Sequence, residues 1–551
     1  MMTRLVLSLL LAPVALGFAQ EAARGRQFSR ADTLRGSVTP QRAWWDVGFY
    51  DLNVRVNPAD SSILGSNAIS YRVLKPASEM QIDLQHPLQV DSMVQDGRAL
   101  EFRRDSNAFF VKLVAPQRAG SRKTLTVYYH GKPRVARRPP WDGGLIWRTD
   151  SLHNTWIATA NQGLGASVWW PNKDHQADEP DSQRVAITVP DPMVDVSNGR
   201  LRSTKKNDDG TTTFEWFVRN PINNYAIEIN AGTYAHFSDT YQGEKGELTL
   251  DFWPLAYHLD TAKVQFQQAK SMLKCFEHWF GPYPWYEDGY KLIEAPHLGM
   301  EHQSGVAYGN RYLNGYSGRD LSQTGLGMEW DFIIVHESAH EWWGNNITTK
   351  DVADMWVHES FANYSEALYT ECLRDKESGA KYVIGVRQLV RNDRPVIGIY
   401  GVQREGSGDM YYKGGNMLHT IRQIVDNDTL WRSVLRGLGS NFWHQTVTGK
   451  QVQVYMSRRT GKNLSKVFEQ YLETATIPRF EYRIEGATLS YRWASVVPGF
   501  DMPIKVTLAD GGLSFIRPTA AWKAATLKLS SPSAFRVDQN FYVDVKDLSI
   551  P

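Results

Sequence analysis

Residues 331–344 read DFIIVHESAHEWWG and residues 356–364 read WVHESFANY. In the first stretch apolar side chains recur at helical spacing, and His336 and His340 stand four apart, one turn along the same face. With Glu337 they form the pattern HExxH. Two imidazoles so spaced on a helix can reach one tetrahedral Zn²⁺ at about 2.0 to 2.1 Å. Glu337 points to one side of that ion, placed to take a proton from water without itself ligating. The helix is expected to run as far as Gly344, a residue suited to a C-cap.

With 14 His in 551 residues, chance alone places such a motif in about one of fifty chains of this size. Support comes from the flanks. Ile333, Ile334, Val335, Trp342 and Trp343 make the segment apolar on most sides, unlike a solvated surface helix, and buried histidines need partners. A catalytic zinc has three protein ligands and one open position. Glu359 follows His340 after eighteen residues, enough chain to turn and return an antiparallel helix aimed at the same ion. Glu366, seven residues further on, shares the face of Glu359. It reads either as an acceptor for the free ring nitrogen of a ligand histidine or as an ordinary helix-surface carboxylate.

The segments around this pair set the organisation. From about residue 45 to 245 the pattern alternates with period two, as in 50–56, 68–73, 124–129 and 184–189, which reads as antiparallel sheet. Between 246 and 476 the period turns helical, with runs at 262–280, 328–343, 360–375 and 415–425. After residue 477 short alternating strands return, at 480–484, 490–493 and 541–545. A chain of 551 residues exceeds one core and is expected to divide in this way.

Composition narrows the rest. The 61 basic and 59 acidic side chains nearly cancel, so no strong field draws nucleic acid or a membrane surface. Residues 1–19 read as a cleavable signal peptide: Arg4, an apolar run from 5 to 18, then small residues before Gln20. That run is shorter than the roughly 20 residues of a membrane span, so a secreted or periplasmic protein without a span after cleavage is expected. Cys275 and Cys372 are the two cysteines. Either they pair or they are two buried free thiols, and the free thiols are the expectation; in both cases a metal must be held by His and carboxylates.

The metal segments carry a resemblance. HESAHEWWGN at 336–345, with Glu359 at the matching separation in W-x-x-E-x-F-A, resembles the gluzincin aminopeptidases of the aminopeptidase N and leukotriene hydrolase family. Leu298-Gly299-Met300-Glu301-His302 is similar to the family's Gly-x-Met-Glu-Asn motif, and Tyr411-Tyr412-Lys413-Gly414 to its Tyr-x-Lys-Gly segment. The resemblance implies a multidomain α+β fold: an N-terminal antiparallel β saddle at 45–245, a thermolysin-like, mainly α catalytic domain at 246–476, and a small C-terminal β-sandwich at 477–551. The family's large C-terminal helical domain has no counterpart in the residues after 477.

By the same resemblance the chain is a zinc aminopeptidase acting on peptides with a free N-terminus, with one Zn²⁺ per chain. His336, His340 and Glu359 hold the metal, and Glu337 is the general base. Glu301 binds the substrate's α-ammonium through a charge-assisted hydrogen bond, and Gly299 and Met300 offer extended backbone for the substrate to pair with. Tyr411 donates to the oxyanion, with Tyr412 its rival. Trp169-Trp170-Pro171 and Asp178-Glu179-Pro180 resemble a further family stretch, which places Gln162 in the pocket for the first residue. Leu298 and His302 depart from the family's Gly and Asn, and His302 is either a pocket group or a packed loop residue. An endopeptidase or epoxide hydrolase on the same scaffold, and a catalytically silent zinc protein that binds peptides, are the rival readings.

Overall fold

The computed structural model describes residues 28–549. The expected signal peptide lies outside them. Among the described residues, no helix is long and apolar enough to cross a membrane.

The N-terminal region is β-rich, as expected, but its main sheet is mixed rather than antiparallel. Trp45–Asn57 pairs antiparallel with Ser62–Val73 on one side and parallel with Ser182–Pro190 on the other, Phe49 opposite Ser182 through Arg55 opposite Thr188. A parallel neighbour needs a long crossover, and the residues between Val73 and Ser182 supply it by building three other strands of the eight-stranded sheet, a whole three-stranded sheet and half of a four-stranded one. Period-two alternation cannot reveal strand direction, so the sequence pattern missed this. A four-stranded sheet includes Thr155–Ala160, the strand that leads directly to Gln162. Trp169 and Trp170 are fully buried in this region's core.

The middle region starts with a five-stranded sheet in which Gly246–Trp253, Tyr290–Glu294 and Val306–Tyr308 run parallel and Gly299–Met300 forms an edge. Its outer strand, Phe237–Gly243, is the first arm of a hairpin with Gly246–Trp253. The expected division at 245/246 therefore falls in a hairpin turn, and the sheet itself begins at Phe237.

Four helices position the site: α1 (Gln268–Phe280), α2 (Phe332–Ala339), α3 (Trp356–Leu373) and α4 (Tyr412–Val425). Helix α3 packs against the other three. It is buried at every position from Trp356 to Thr370, which explains why its apolar pattern wraps round rather than forming one stripe. Helix α4 approaches α3 through glycines: a Cβ on Gly414 would sit 1.8 Å from Ser360 Oγ, and one on Gly415 2.3 Å from Asn363 Oδ1.

The cysteines correct the expectation of free thiols. Cys275 of α1 and Cys372 of α3 form a disulfide with Cα atoms 6.0 Å apart across a sequence separation of 97. Adjacent helices bring them together, a proximity that no local pattern encodes. Closing so long a loop restricts the unfolded chain, so reduction is expected to cost about 2 to 5 kcal/mol and to lower the thermal midpoint of the helical region. Melting curves with and without reductant check this; identical midpoints alongside two titratable thiols in the untreated protein would contradict it.

C-terminal strands Arg479–Glu485, Thr488–Ala494, Lys523–Thr526 and Asp544–Asp547 make one sheet, and Ile504–Ala509 with Gly512–Ile516 a second. Phe480, Leu489, Trp493, Ile504 and Val506 join the same apolar core as the helices. The small β region thus buries its inner face against the helical one, which gives it an area to bury that 75 residues alone would lack.

Candidate metal centre and active site

Helix α2 is fixed at its start by Asp331, whose Oδ1 accepts from Ile333 N at 3.0 Å and Ile334 N at 3.4 Å. The same buried carboxylate accepts from Tyr308 Oη at 2.7 Å and Gln265 Nε2 at 2.8 Å. Helix-end donors are satisfied and the helix is tied to the sheet at once. At the other end the structure shortens the expected helix: it stops at Ala339, with His340 in the C-cap position, and Gly344 at φ +126° turns the chain back later. Glu341 N reaches Ser338 O at 3.2 Å while Asn345 N and Asn346 N bond to His340 O and Glu341 O, so the ladder tightens and then opens. His340 remains one turn from His336, with ring centroids 5.1 Å apart.

Glu359 lies in the first turn of α3, where a carboxylate is favoured by the helix dipole. Its Oε2 is 3.4 Å from His340 Nε2 and 3.7 Å from His336 Nε2. A tetrahedral zinc with bonds of about 2.0 to 2.1 Å spaces its ligand atoms about 3.4 Å apart. The three ligand atoms lie within 4.8 Å of one another, and Glu359 Oε2 is buried without a protein hydrogen-bond partner. The other ring nitrogens are used: His336 Nδ1 donates to Glu366 Oε1 at 2.8 Å and His340 Nδ1 to the Trp343 carbonyl at 2.9 Å. Both Nε2 lone pairs are thereby turned toward the shared point. The cluster fits a zinc ion.

The surrounding charge agrees. Burial opposes a charged His340 ring, yet Glu359 and Glu301 hold it up at about 9; such a carboxylate field favours a cation. Burial alone would raise Glu359, but the neighbouring His340 and His336 hold it well below the usual carboxylate range. Glu366 also accepts from Asn363 Nδ2 at 3.0 Å and Tyr382 Oη at 2.7 Å, so the helix-surface reading of this residue does not stand. Glu366→Ala is expected to weaken zinc binding by about 10- to 100-fold. Competition against a chelator measures this, and a shift under threefold would count against a ring-orienting role.

A cavity of about 480 Å³ opens on this cluster. Its lining includes Gln162, Gly299, Met300, Glu301, Glu337, Glu366 and Tyr411 together with His336, His340 and Glu359, so the structure brings these residues to one space. Glu337 is pushed up to about 7 by burial, with His336 opposing and Glu301 adding to the rise. Gly299 permits its placement, since a Cβ there would meet Ile333 Cγ2 at 2.8 Å and Glu337 Oε1 at 3.0 Å. Glu301, 3% exposed, accepts from Tyr225 Oη at 3.0 Å, and its backbone carbonyl takes Asn345 Nδ2 at 2.9 Å. Gln162 reaches further than expected: its Nε2 donates to Glu359 Oε1 at 3.2 Å.

The two tyrosines separate. Burial, then Glu359, Glu405 and Glu301, raise the Tyr411 phenol well above its ordinary range, so it stays a donor facing the metal cluster. The Tyr411 ring stacks on His336 with centroids 6.0 Å apart, whereas Tyr412 lines the cavity as the first residue of α4. His302 resolves as a packed loop residue: its Nδ1 and Glu228 Oε2 are 2.7 Å apart, both side chains fully buried.

Sequence reasoning missed Glu405, Tyr225 and Asp409. Glu405 lines the cavity, and burial followed by Glu359 and Glu301 lifts it to about 7. It sits in a loop without periodicity, and nothing in its neighbours marks it.

Residues 264–471 match the model of the Peptidase family M1 domain. Aminopeptidase N of Lactobacillus helveticus is 24% identical over 78% of this chain and 51% of its own length. Aminopeptidase N of Lactococcus lactis is 25% identical over 28% of this chain and 20% of its own. The chain spans about half the length, or less, of these relatives. The crystal structure of an M1 zinc metallopeptidase from Deinococcus radiodurans superposes with TM-score 0.67 at 22% identity, covering 79% of this chain and 94% of that one. The gluzincin resemblance and the multidomain fold class are borne out by these matches.

Proposed function

We propose that this chain, through its M1 peptidase domain, removes single residues from peptides with a free N-terminus, using one zinc ion held by His336, His340 and Glu359. One observation carries the reading. Two imidazole nitrogens and an otherwise unbonded buried carboxylate oxygen converge in the same cavity that holds the Glu301 carboxylate.

A bound zinc supplies a Lewis acid that polarises the scissile carbonyl and acidifies water beside it. Glu301, held by Tyr225, accepts hydrogen bonds from the substrate's α-ammonium and leaves no room for a longer N-terminal extension. The free edge of Gly299–Met300 extends the five-stranded sheet with the substrate backbone. Glu337 accepts the proton of the attacking water and returns it to the leaving amine. The Tyr411 hydroxyl donates to the carbonyl oxygen as negative charge develops there. Gln162 braces Glu359 and borders the space for the first side chain. A silent zinc protein needs neither Glu337 nor Tyr411. Residues 1–19 support export to a secreted or periplasmic location.

The test compares an unblocked aminoacyl amide with its N-acetylated twin, each with and without a chelator. The free amine is expected to turn over faster by roughly a hundredfold or more, and chelation to stop both. Equal rates for the twins would sink the aminopeptidase reading in favour of another zinc hydrolase. Turnover indifferent to the chelator would sink the metal.

A further inference from the structure

The cavity wall is acidic. Glu301, Glu337, Glu359, Glu366, Glu405 and Asp409 all line it, and the one Arg or Lys among the described lining residues is Arg391. Arg391 belongs to a segment with three arginines, and its two companions are committed. Arg387 bonds to Asn416 Oδ1 at 2.6 Å and to the Gln539 and Asn540 carbonyls at 2.7 and 3.3 Å. Arg394 bonds to Asp393 at 3.3 Å and to the Gly406 carbonyl at 2.9 Å. The Arg391 guanidinium makes no hydrogen bond or ion pair among the described residues, although its backbone is anchored: Arg391 N donates to Asp409 Oδ1 at 2.8 Å and Asn392 N to Oδ2 at 2.6 Å.

Its position along the cavity follows from its neighbours. Glu301 is held by Tyr225 Oη and, through its backbone carbonyl, by Asn345 Nδ2. Arg391 N bonds to Asp409, two residues before Tyr411, and Tyr316 on the same lining packs edge-on against Phe332, which stacks on His336 at 5.1 Å. On this arrangement a peptide held by its ammonium at Glu301 and by its first peptide bond at the metal cluster would carry its leaving residue past His336 toward Tyr316, Tyr412 and Arg391. Away from the metal cluster the wall sets acidic neighbours against a substrate carboxylate, and here a guanidinium can form a bidentate pair with it.

We propose that Arg391 is the carboxylate-binding group of the leaving-side subsite, so that the enzyme favours substrates with a carboxylate on the residue after the scissile bond. This rests on the aminopeptidase reading above. The carboxylate has two sources, the free C-terminus of a dipeptide or an acidic side chain in a longer peptide.

Two matched pairs separate the sources: Leu-Gly against Leu-Gly-amide, and Leu-Asp-amide against Leu-Asn-amide, followed by release of leucine. The wild-type enzyme is expected to favour the charged member of at least one pair by about tenfold in kcat/KM, a preference that shrinks as ionic strength rises. In Arg391→Met the ratio falls to about one, and in Arg391→Lys it is intermediate. A preference for Leu-Gly alone assigns the site to dipeptide termini, and one for Leu-Asp-amide alone to acidic side chains. Wild-type ratios near one in both pairs, or a ratio that survives in Arg391→Met, overturn the proposal while leaving the aminopeptidase reading intact. No leucine from any of the four overturns that reading, and this proposal with it.

Discussion

Glu337→Gln is expected to lower kcat on an unblocked aminoacyl amide by about 10²- to 10⁴-fold, the range associated with losing a general base, while zinc content stays at one per chain. The substitution keeps the shape of the side chain and removes its basicity. Among the described residues the Glu337 side chain donates or accepts no hydrogen bond, so the variant breaks none and should melt close to the wild type. The loss should fall on kcat rather than KM, because the proton moves only in the reacting complex. Steady-state kinetics with metal analysis on the same sample check it. A drop under tenfold at full zinc occupancy would remove Glu337 from the proposed role.

Glu359→Ala is expected to have the larger effect on the metal itself. Two imidazoles remain, the buried oxygen that faces both of them at 3.4 and 3.7 Å is gone, and the Gln162 amide loses its acceptor. Zinc affinity should fall by more than the roughly 10- to 100-fold that a supporting residue costs, leaving purified protein substantially without zinc and without turnover. Zinc retained at one per chain after dialysis, with wild-type turnover, would show that Glu359 is not a ligand. The same variant separates two kinds of loss: Glu337→Gln should hold zinc and be inactive, whereas Glu359→Ala should be inactive because it does not hold zinc.

The site was largely legible in the sequence because its chemistry is local. His336 and His340 are related by one helical turn, and Glu359 and Glu366 by two, so spacing alone places each pair on one face. The bond from His336 to Glu366 then follows from packing two such helices together. What was not legible depends on contacts between distant segments. Cys275 and Cys372 are 97 residues apart and meet because α1 lies beside α3. Helix α2, by contrast, ends at Ala339 rather than Gly344, and the Trp343 carbonyl three residues beyond His340 holds its ring, a local turn that apolar spacing does not report. The direction of Ser182–Pro190 beside Trp45–Asn57 depends on a long crossover that alternation cannot report. Glu405 and Arg391 reach the cavity from loops, where no periodicity marks an inward-facing side chain.

The most direct measurement is anomalous diffraction at the zinc edge from crystals of the zinc-loaded protein. The account predicts a single peak about 2.0 to 2.2 Å from His336 Nε2, His340 Nε2 and a Glu359 carboxylate oxygen. A peak elsewhere, or a Glu359 side chain turned away from both rings with zinc bound, would contradict it.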